Sequence, residues 1–388
     1  MKHRQLWKYL MLTIVMSLLL ISCKPTQQVE PTQQVEPTKS TGNQEKTPLV
    51  EKNTYSIENP YGCKPAKWTD EITNGTKFKK DPPWTIGFSN YSLGNTWRVQ
   101  MVAELMNAAS KDSRIKEIIH LNADGNVAKQ ISDIEDLMAK GVDALLITPL
   151  SADAIAPIVE KAYNEGLLVV IFNNEISTDK FQAILWVDEC KYGYIGGKWL
   201  NDKLNGKGKI VVLEGIPGTS TSDLRTKGAL AAFDKGIEVL AKEPTNWDYA
   251  KAKVVMEDMI SAYPDLNGVY SQGGAVSLGV LEALKAAGKP LLPVPGEGYN
   301  GFLKYWWSHI DEMASIAPDE PTYQSTAALE LVTSLLSGKD VNKWAELPLE
   351  IITKDNLKDF VRMDCPDTLW NSTKMDLTQV TKLYGCTG

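Results

Sequence analysis

Five short segments of this 388-residue chain concentrate the side chains that could grip a small molecule. Residues 89–98 read Ser-Asn-Tyr-Ser-Leu-Gly-Asn-Thr-Trp-Arg and carry Asn90, Asn95, Trp97 and Arg98. Asn173-Asn174-Glu175 follows the apolar run that ends at Phe172, and residues 215–225 bring Asp223 and Arg225 after Gly-Ile-Pro-Gly-Thr-Ser. Gln272 stands before Gly273-Gly274, and Glu297 sits inside Pro-Gly-Glu-Gly-Tyr-Asn at 295–300. Amides and carboxylates exchange hydrogen bonds with hydroxyls, and flat indoles cover C–H faces. The set suits capture of a neutral, polyhydroxylated small molecule, a sugar or polyol.

Residues for transforming such a molecule are scarce. The three histidines, His3, His120 and His309, fall in unrelated segments, and no GxSxG, HExxH or Walker A pattern occurs. Gly296-Glu-Gly-Tyr-Asn-Gly301 fits GxGxxG, but Pro293 and Pro295 interrupt the strand that a dinucleotide loop must follow, so it reads as a hinge turn. Asn122-Ala-Asp-Gly-Asn126 lacks the glycine placement and distal Glu of a calcium loop and reads as a plain turn. There is no CxxC and no His near a Cys, which argues against zinc. The expectation is a binding protein, not an enzyme, with no cofactor and no metal.

The binding loops need a scaffold that aims them at one place, and the pattern from Trp84 onward supplies it. Short aliphatic runs predict strands at 84–88, 117–122, 144–148, 168–172, 184–187, 209–214, 253–255, 268–271 and 314–316. Amphipathic stretches predict helices at 96–111, 127–140, 152–165, 192–204, 224–235, 250–263 and 275–287, with a further helix at 299–307. Gly141, Gly166, Gly206 and Gly288 stand where several of these should stop. Repeated βα units imply α/β architecture, parallel sheets with helices on both faces. About 300 such residues exceed one comfortable core, so two Rossmann-like lobes are expected. Ligands bind such sheets at the carboxyl ends of the strands, where the polar loops fall.

Composition is that of an ordinary globular protein, 43% hydrophobic and 23% charged. A formal net charge of −7 argues against a nucleic-acid partner, which would need a basic face. Lys2, Arg4 and Lys8 precede twelve apolar residues at 10–21, too few to span a bilayer but suited to an export signal over 1–22. The run closes on Leu20-Ile21-Ser22-Cys23, which resembles a lipobox and implies a lipidated Cys23 holding the protein to a bacterial membrane outside the cytoplasm. Residues 23–48 contain the direct repeat Pro-Thr-Gln-Gln-Val-Glu and read as a flexible linker, with a lead-in segment at 49–83. Cys63, Cys190, Cys365 and Cys386 allow one or two disulfides in any of three pairings, among which Cys365–Cys386 would staple the C-terminal tail; free buried thiols are the alternative.

Over roughly residues 84–356 the chain resembles the periplasmic binding proteins of the ribose-binding type. The stretch from Asn122 to Pro149 matches in order and spacing, as do Val187-Asp188 before Gly193-Tyr-Ile-Gly-Gly197, the turn Gly215-Ile-Pro-Gly-Thr-Ser220, and Asp265-Leu-Asn-Gly-Val269. The resemblance implies three crossovers between the lobes, near 174–177, 317–321 and 347–351. The N-terminal lobe would hold 84–174 plus 318–346 and the C-terminal lobe 175–317 plus 347–356. The tail at 357–388 has no counterpart in the family pattern. The resemblance also implies a solute cleft in which Asn95 and Trp97, with Arg98 beside them, stand for the family's first-loop amide and aromatic. Asn173-Asn174 replace its Asp-Arg, removing a charge pair and arguing against ribose itself. Asp223 occupies the place of its arginine, and Arg225 follows two residues later. Trp247, followed by Asp248, matches a cleft aromatic. Gly273-Gly274 replace an Asn-Asp and leave Gln272, which gives room for a larger ligand or a closer backbone. Glu297 replaces a hinge-side Asp, and Tyr323 would reach in from a crossover. An ABC permease is the partner the family implies, with a monomer on the binding side. A chemotaxis or sensor-kinase receptor is the alternative. A transcription regulator would need a helix-turn-helix where the export signal and linker stand.

Overall fold

A computed structural model describes residues 69–387 of the protein. The export signal, Cys23, the linker and Cys63 lie outside the described residues.

The described chain forms two α/β lobes. In the first, β2 (Trp84–Asn90) follows a short β1 (Ile72–Thr73) and leads through α1 (Thr96–Lys111), β3 (Ile115–Asn122), α2 (Val127–Ala139), β4 (Ala144–Thr148), α3 (Ala152–Asn164) and β5 (Leu168–Phe172) to β6 (Ala183–Trp186). The second contains α4 (Glu189–Lys203), β7 (Lys207–Glu214), α5 (Ser220–Ala231), β8 (Gly236–Pro244), α6 (Tyr249–Ala262), β9 (Gly268–Ser271), α7 (Gly274–Ala286) and α8 (Asn300–Ser308). Then come β10 (Ala317–Asp319), α9 (Gln324–Leu336), β11 (Val341–Asn342), β12 (Trp344–Glu346), β13 (Glu350–Ile352), α10 (Leu357–Phe360) and α11 (Leu377–Tyr384).

The first sheet has six parallel strands in the order β12-β6-β5-β4-β2-β3, and the second has three, β8-β7-β9, also parallel. Strands β4 and β5, Ala-Leu-Leu-Ile-Thr and Leu-Val-Val-Ile-Phe, are buried throughout, as continuous apolar runs must be when helices cover both faces. Alternation along them feeds two cores. Leu146, Val170 and Phe172 pack with Met101, Leu105 and Val332, while Leu145, Ile147, Val169 and Ile171 pack with Ile134, Leu137 and Ile155. Each such side chain contributes roughly 1.5–3 kcal/mol by leaving water. In the first sheet the order reverses at β2, with β3 on one side and β4 on the other; in the second it reverses at β7. The loops after these strands therefore open onto crevices at the carboxyl edges.

Three expectations are corrected. Residues 253–255 lie within α6, where Val254 faces solvent at 58% exposure; the missing strand is β8, a half-buried edge whose Glu238, Lys242 and Glu243 mask its apolar alternation. The strand expected at 314–316 forms three residues later, as β10. Residues 183–186, assigned above to the second lobe, extend the first sheet by pairing with β5 and β12, so the chain leaves that lobe only after β6. The later crossover segments fall on an antiparallel ribbon of β10 and β13. The four helix-stop glycines all have positive φ, between 63° and 84°. Cys365 and Cys386 are joined by a disulfide, and Cys190 is disulfide-bonded as well. No helix among the described residues is long and apolar enough to cross a membrane.

Candidate functional site

Asn95 starts the site by starting a helix. Its side chain caps α1, accepting from the Arg98 N–H at 2.9 Å, and this turns Trp97 and Arg98 toward the crevice. The Arg98 guanidinium lies 3.7 Å from the Tyr91 ring centroid. It donates from Nη2 to Asn90 Oδ1 at 2.7 Å and Thr148 Oγ1 at 2.9 Å, and from Nη1 to Asn173 Oδ1 at 2.6 Å. The Trp97 indole N–H donates to the Glu320 carbonyl at 2.9 Å.

The facing lobe is organised around Arg225. Helices α4 and α5 touch backbone to backbone because Gly193 and Gly228 are there: a Cβ on either would fall 2.0 Å from a main-chain oxygen of the other helix. This contact buries Arg225 at 2% exposure beside Tyr192, whose ring centroid is 3.6 Å away. Its nitrogens reach Glu189 Oε2 at 2.6 Å, Glu320 Oε2 at 2.6 Å, Glu297 Oε1 at 3.3 Å and the Gln272 carbonyl at 2.7 Å. Burial pushes the Glu297 carboxyl up to about 8 against the pull of Arg225, and raises Glu189 well above the carboxylate range. At neutral pH the Glu297 carboxyl thus keeps its proton and offers an O–H donor beside Arg225. The Trp247 indole lies against the backbones of Gly215 and Gly273, where a Cβ would come within 2.1 and 3.0 Å of it, and donates to the Gln272 carbonyl at 3.1 Å. The space left at Gly273 is thus taken by Trp247, and that at Gly274 by the Glu297 backbone and Tyr299.

Between the two sets lies a cleft of about 350 Å³, open solvent at its mouth included. It brings together Asn95, Trp97, Arg98, Asn173, Arg225, Trp247 and Glu297 from the sequence expectation. Six other expected residues do not line it. Asn90 and Gln272 are fully buried and spend their amides on Arg98 and on Gly215, Ser222 and Thr226. Asn174 bridges the Pro149 carbonyl and the Thr221 hydroxyl at 2.6 Å each. Asp248 caps α6. Asp223 is exposed, because two residues along a helix turn it about 200° from the inward-facing Arg225. Tyr323 packs in the core at the start of α9. Tyr91, Thr221, Glu320 and Trp370 complete the lining and escaped the sequence reading. Glu320 falls within an expected crossover, and Trp370 lies in the tail, where no family pattern guides the eye. The GxGxxG segment is a turn ahead of α8 with no strand before it, as read. Among the described residues the metal-ligating cluster found, Asp364 with Cys365 and Cys386, has both sulfurs committed to a disulfide.

A family model of the periplasmic binding protein domain matches residues 86–340. The chain belongs to that family. As a periplasmic binding protein it works outside the cytoplasm by binding, not by catalysis. It is 30% identical over 292 residues to the ribose import binding protein of Bacillus subtilis (strain 168), covering 75% of this chain and 93% of the relative. It is 31% identical over 258 residues to the xylitol-binding protein of Mycolicibacterium smegmatis, covering 66% and 73%. Among solved structures, the fructose binding periplasmic domain of a hybrid two component system superposes with a TM-score of 0.64 at 26% identity, covering 71% of this chain and 92% of that one. A Bacillus halodurans C-125 transporter solute binding protein with bound myo-inositol superposes at 0.66 with 20% identity, covering 72% and 98%, a likeness of fold.

Proposed function

We propose that this periplasmic binding protein captures a monosaccharide or similar polyol between its lobes and delivers it to an ABC-type importer. The observation that carries the reading is a cleft in which indoles and hydrogen-bonding groups from both lobes face one space: Asn95, Trp97, Arg98 and Asn173 from the first, Arg225, Trp247 and Glu297 from the second. Ribose import and xylitol binding in the relatives agree with it. Solute touching both lobes stabilises the closed form by its difference in affinity between closed and open states. Hydroxyls buried there must all find partners, so a solute lacking one strands a polar group at about 1–3 kcal/mol. The closed form is what a permease reads, and lipidated Cys23 after Leu20-Ile21-Ser22 would keep the protein at the membrane.

The fructose binding relative belongs to a two component system, which favours one second reading: a receptor that hands its closed form to a sensor. The test of capture is a thermal-shift series on the full chain with D-ribose, D-fructose, xylitol and myo-inositol. A bound solute at a hundredfold excess over Kd adds about 2.7 kcal/mol of stability. No shift with any sugar or polyol would remove this reading.

A further inference from the structure

The tail at 357–388 lies beyond the family match, which ends at residue 340, yet it reaches the cleft. Trp370 lines the cleft beside Trp97 and Trp247 and is 4% exposed. Its backbone is read by one buried amide on α1: its N–H donates to Gln100 Oε1 at 2.9 Å, and its carbonyl accepts from Gln100 Nε2 at 2.8 Å. Its indole N–H donates to Thr96 Oγ1 at 3.0 Å. These bonds fix the ring at the start of α1, next to Trp97 and Arg98.

The same segment is tied to the second lobe. Asn300 N–H donates to the Leu369 carbonyl at 2.8 Å, Gly301 N–H to Asp367 at 3.0 Å, and Asn371 N–H to the Gly298 carbonyl at 2.9 Å. The Tyr299 and Trp370 rings are 5.3 Å apart. Farther along, the Cys365–Cys386 disulfide closes the tail on itself, and Tyr384 donates to Gln100 Oε1 at 2.6 Å. A segment that only packed on the outside would need neither a fully buried glutamine nor ties to both lobes.

We propose that the tail is a third wall of the solute site and that Trp370 is a specificity-determining residue lying against the bound sugar or polyol. This deepens the capture reading and rests on it. Every polar atom of Trp370 is already bonded within the protein, so the ring offers the solute an apolar surface and no hydrogen bond. It recognises a C–H face and sets the size of guest the cleft admits.

The test is calorimetric titration of the full chain with D-ribose, D-fructose, xylitol and myo-inositol, alongside melting without solute. Trp370→Ala is expected to weaken the tightest of these at least tenfold, and Trp370→Phe by less than the alanine change. Gln379→Ala removes a tail tie to Asn107 that touches neither Gln100 nor Trp370; it is expected to lower the melting temperature and leave Kd unchanged. A folded Trp370→Ala with the parent's Kd overturns the proposal; should that variant not fold, Trp370→Leu with the parent's Kd does so. If the parent binds none of the four, the capture reading falls and the proposal with it, an outcome distinct from a parent that binds and a Trp370 variant that binds equally well.

Discussion

Arg225 Nη2 donates to Glu320 Oε2 at 2.6 Å, while the other oxygen of Glu320 accepts from Asn173 Nδ2 at 2.9 Å. Through Glu320 the deepest cation of the second lobe is thus joined to a loop of the first. Both partners are almost entirely dry, at 2% and 5% side-chain exposure. A buried pair adds little net stability, because desolvation offsets the attraction, but removing one member strands the other. Glu320→Ala is therefore expected to cost roughly 3–5 kcal/mol in chemical denaturation. Glu320→Gln, which keeps an acceptor for one neighbour, is expected to cost less. An alanine variant as stable as the parent would show that Arg225 does not depend on this partner.

The carboxyl cluster makes stability fall as pH rises. Burial holds the Glu297 carboxyl up at about 8 and the Asp319 carboxyl at about 7, both above their unfolded values. Arg225, Asp319 and Glu320 face Glu297; Glu350, Glu320, the Ser372 hydroxyl and the Gly298 N–H face Asp319. A group whose folded pKa is raised contributes stability that is full below the unfolded pKa and lost as pH climbs through the folded one. The window is therefore about pH 4.5 to 8. Glu297→Gln is expected to remove roughly 2–4 kcal/mol of slope across it, seen as the difference between parent and variant denaturation from pH 5 to 8.5. Parallel curves would place no titrating proton on Glu297.

The βα alternation was legible because local patterns encode it: apolar runs for β4 and β5, a 3.6-residue period for α2, and glycines at positive φ where helices stop. Strand β8 was not, since an edge strand with charges on its open side loses the alternation that marks a strand. The lobe to which β6 belongs was hidden too, because pairing with β5 and β12 is a long-range fact. At the site, sequence marked the amides that follow strands but could not say which way each turns. Asn173 faces the cleft; Asn174, one residue on, bonds to Pro149 and Thr221. Trp370 left no local trace, since its place depends on a tail path fixed by Gln100, Asn300 and a disulfide.

That disulfide closes a loop across 21 residues. Restricting the unfolded chain over a loop of this size is worth about 3 kcal/mol. The pair also packs with Leu369, Met375 and Val380 in a small core of its own. Replacing both cysteines by alanine is expected to melt the tail early, at a loss of about 3 kcal/mol. Amide hydrogen exchange should show lost protection in α11 while β4 and β5 stay protected. Uniform loss in both would mean that the tail and the sheets unfold as one unit.

Trp97 and Trp247 approach the cleft from opposite lobes and are held differently, which makes them separable probes. Trp97 is 7% exposed and belongs to the main core, so Trp97→Ala is expected to lower the stability of the empty protein by about 3 kcal/mol. Trp247 rests on two glycine backbones at the cleft edge and should cost less. Each alanine variant is expected to fold and to lose the thermal shift that a bound sugar gives the parent. Asp223→Ala, on the outward side of α5, is expected to keep it. If both tryptophan variants shift as the parent does, the solute does not sit between them; if Asp223→Ala loses the shift, the outward face of α5 belongs to the site after all.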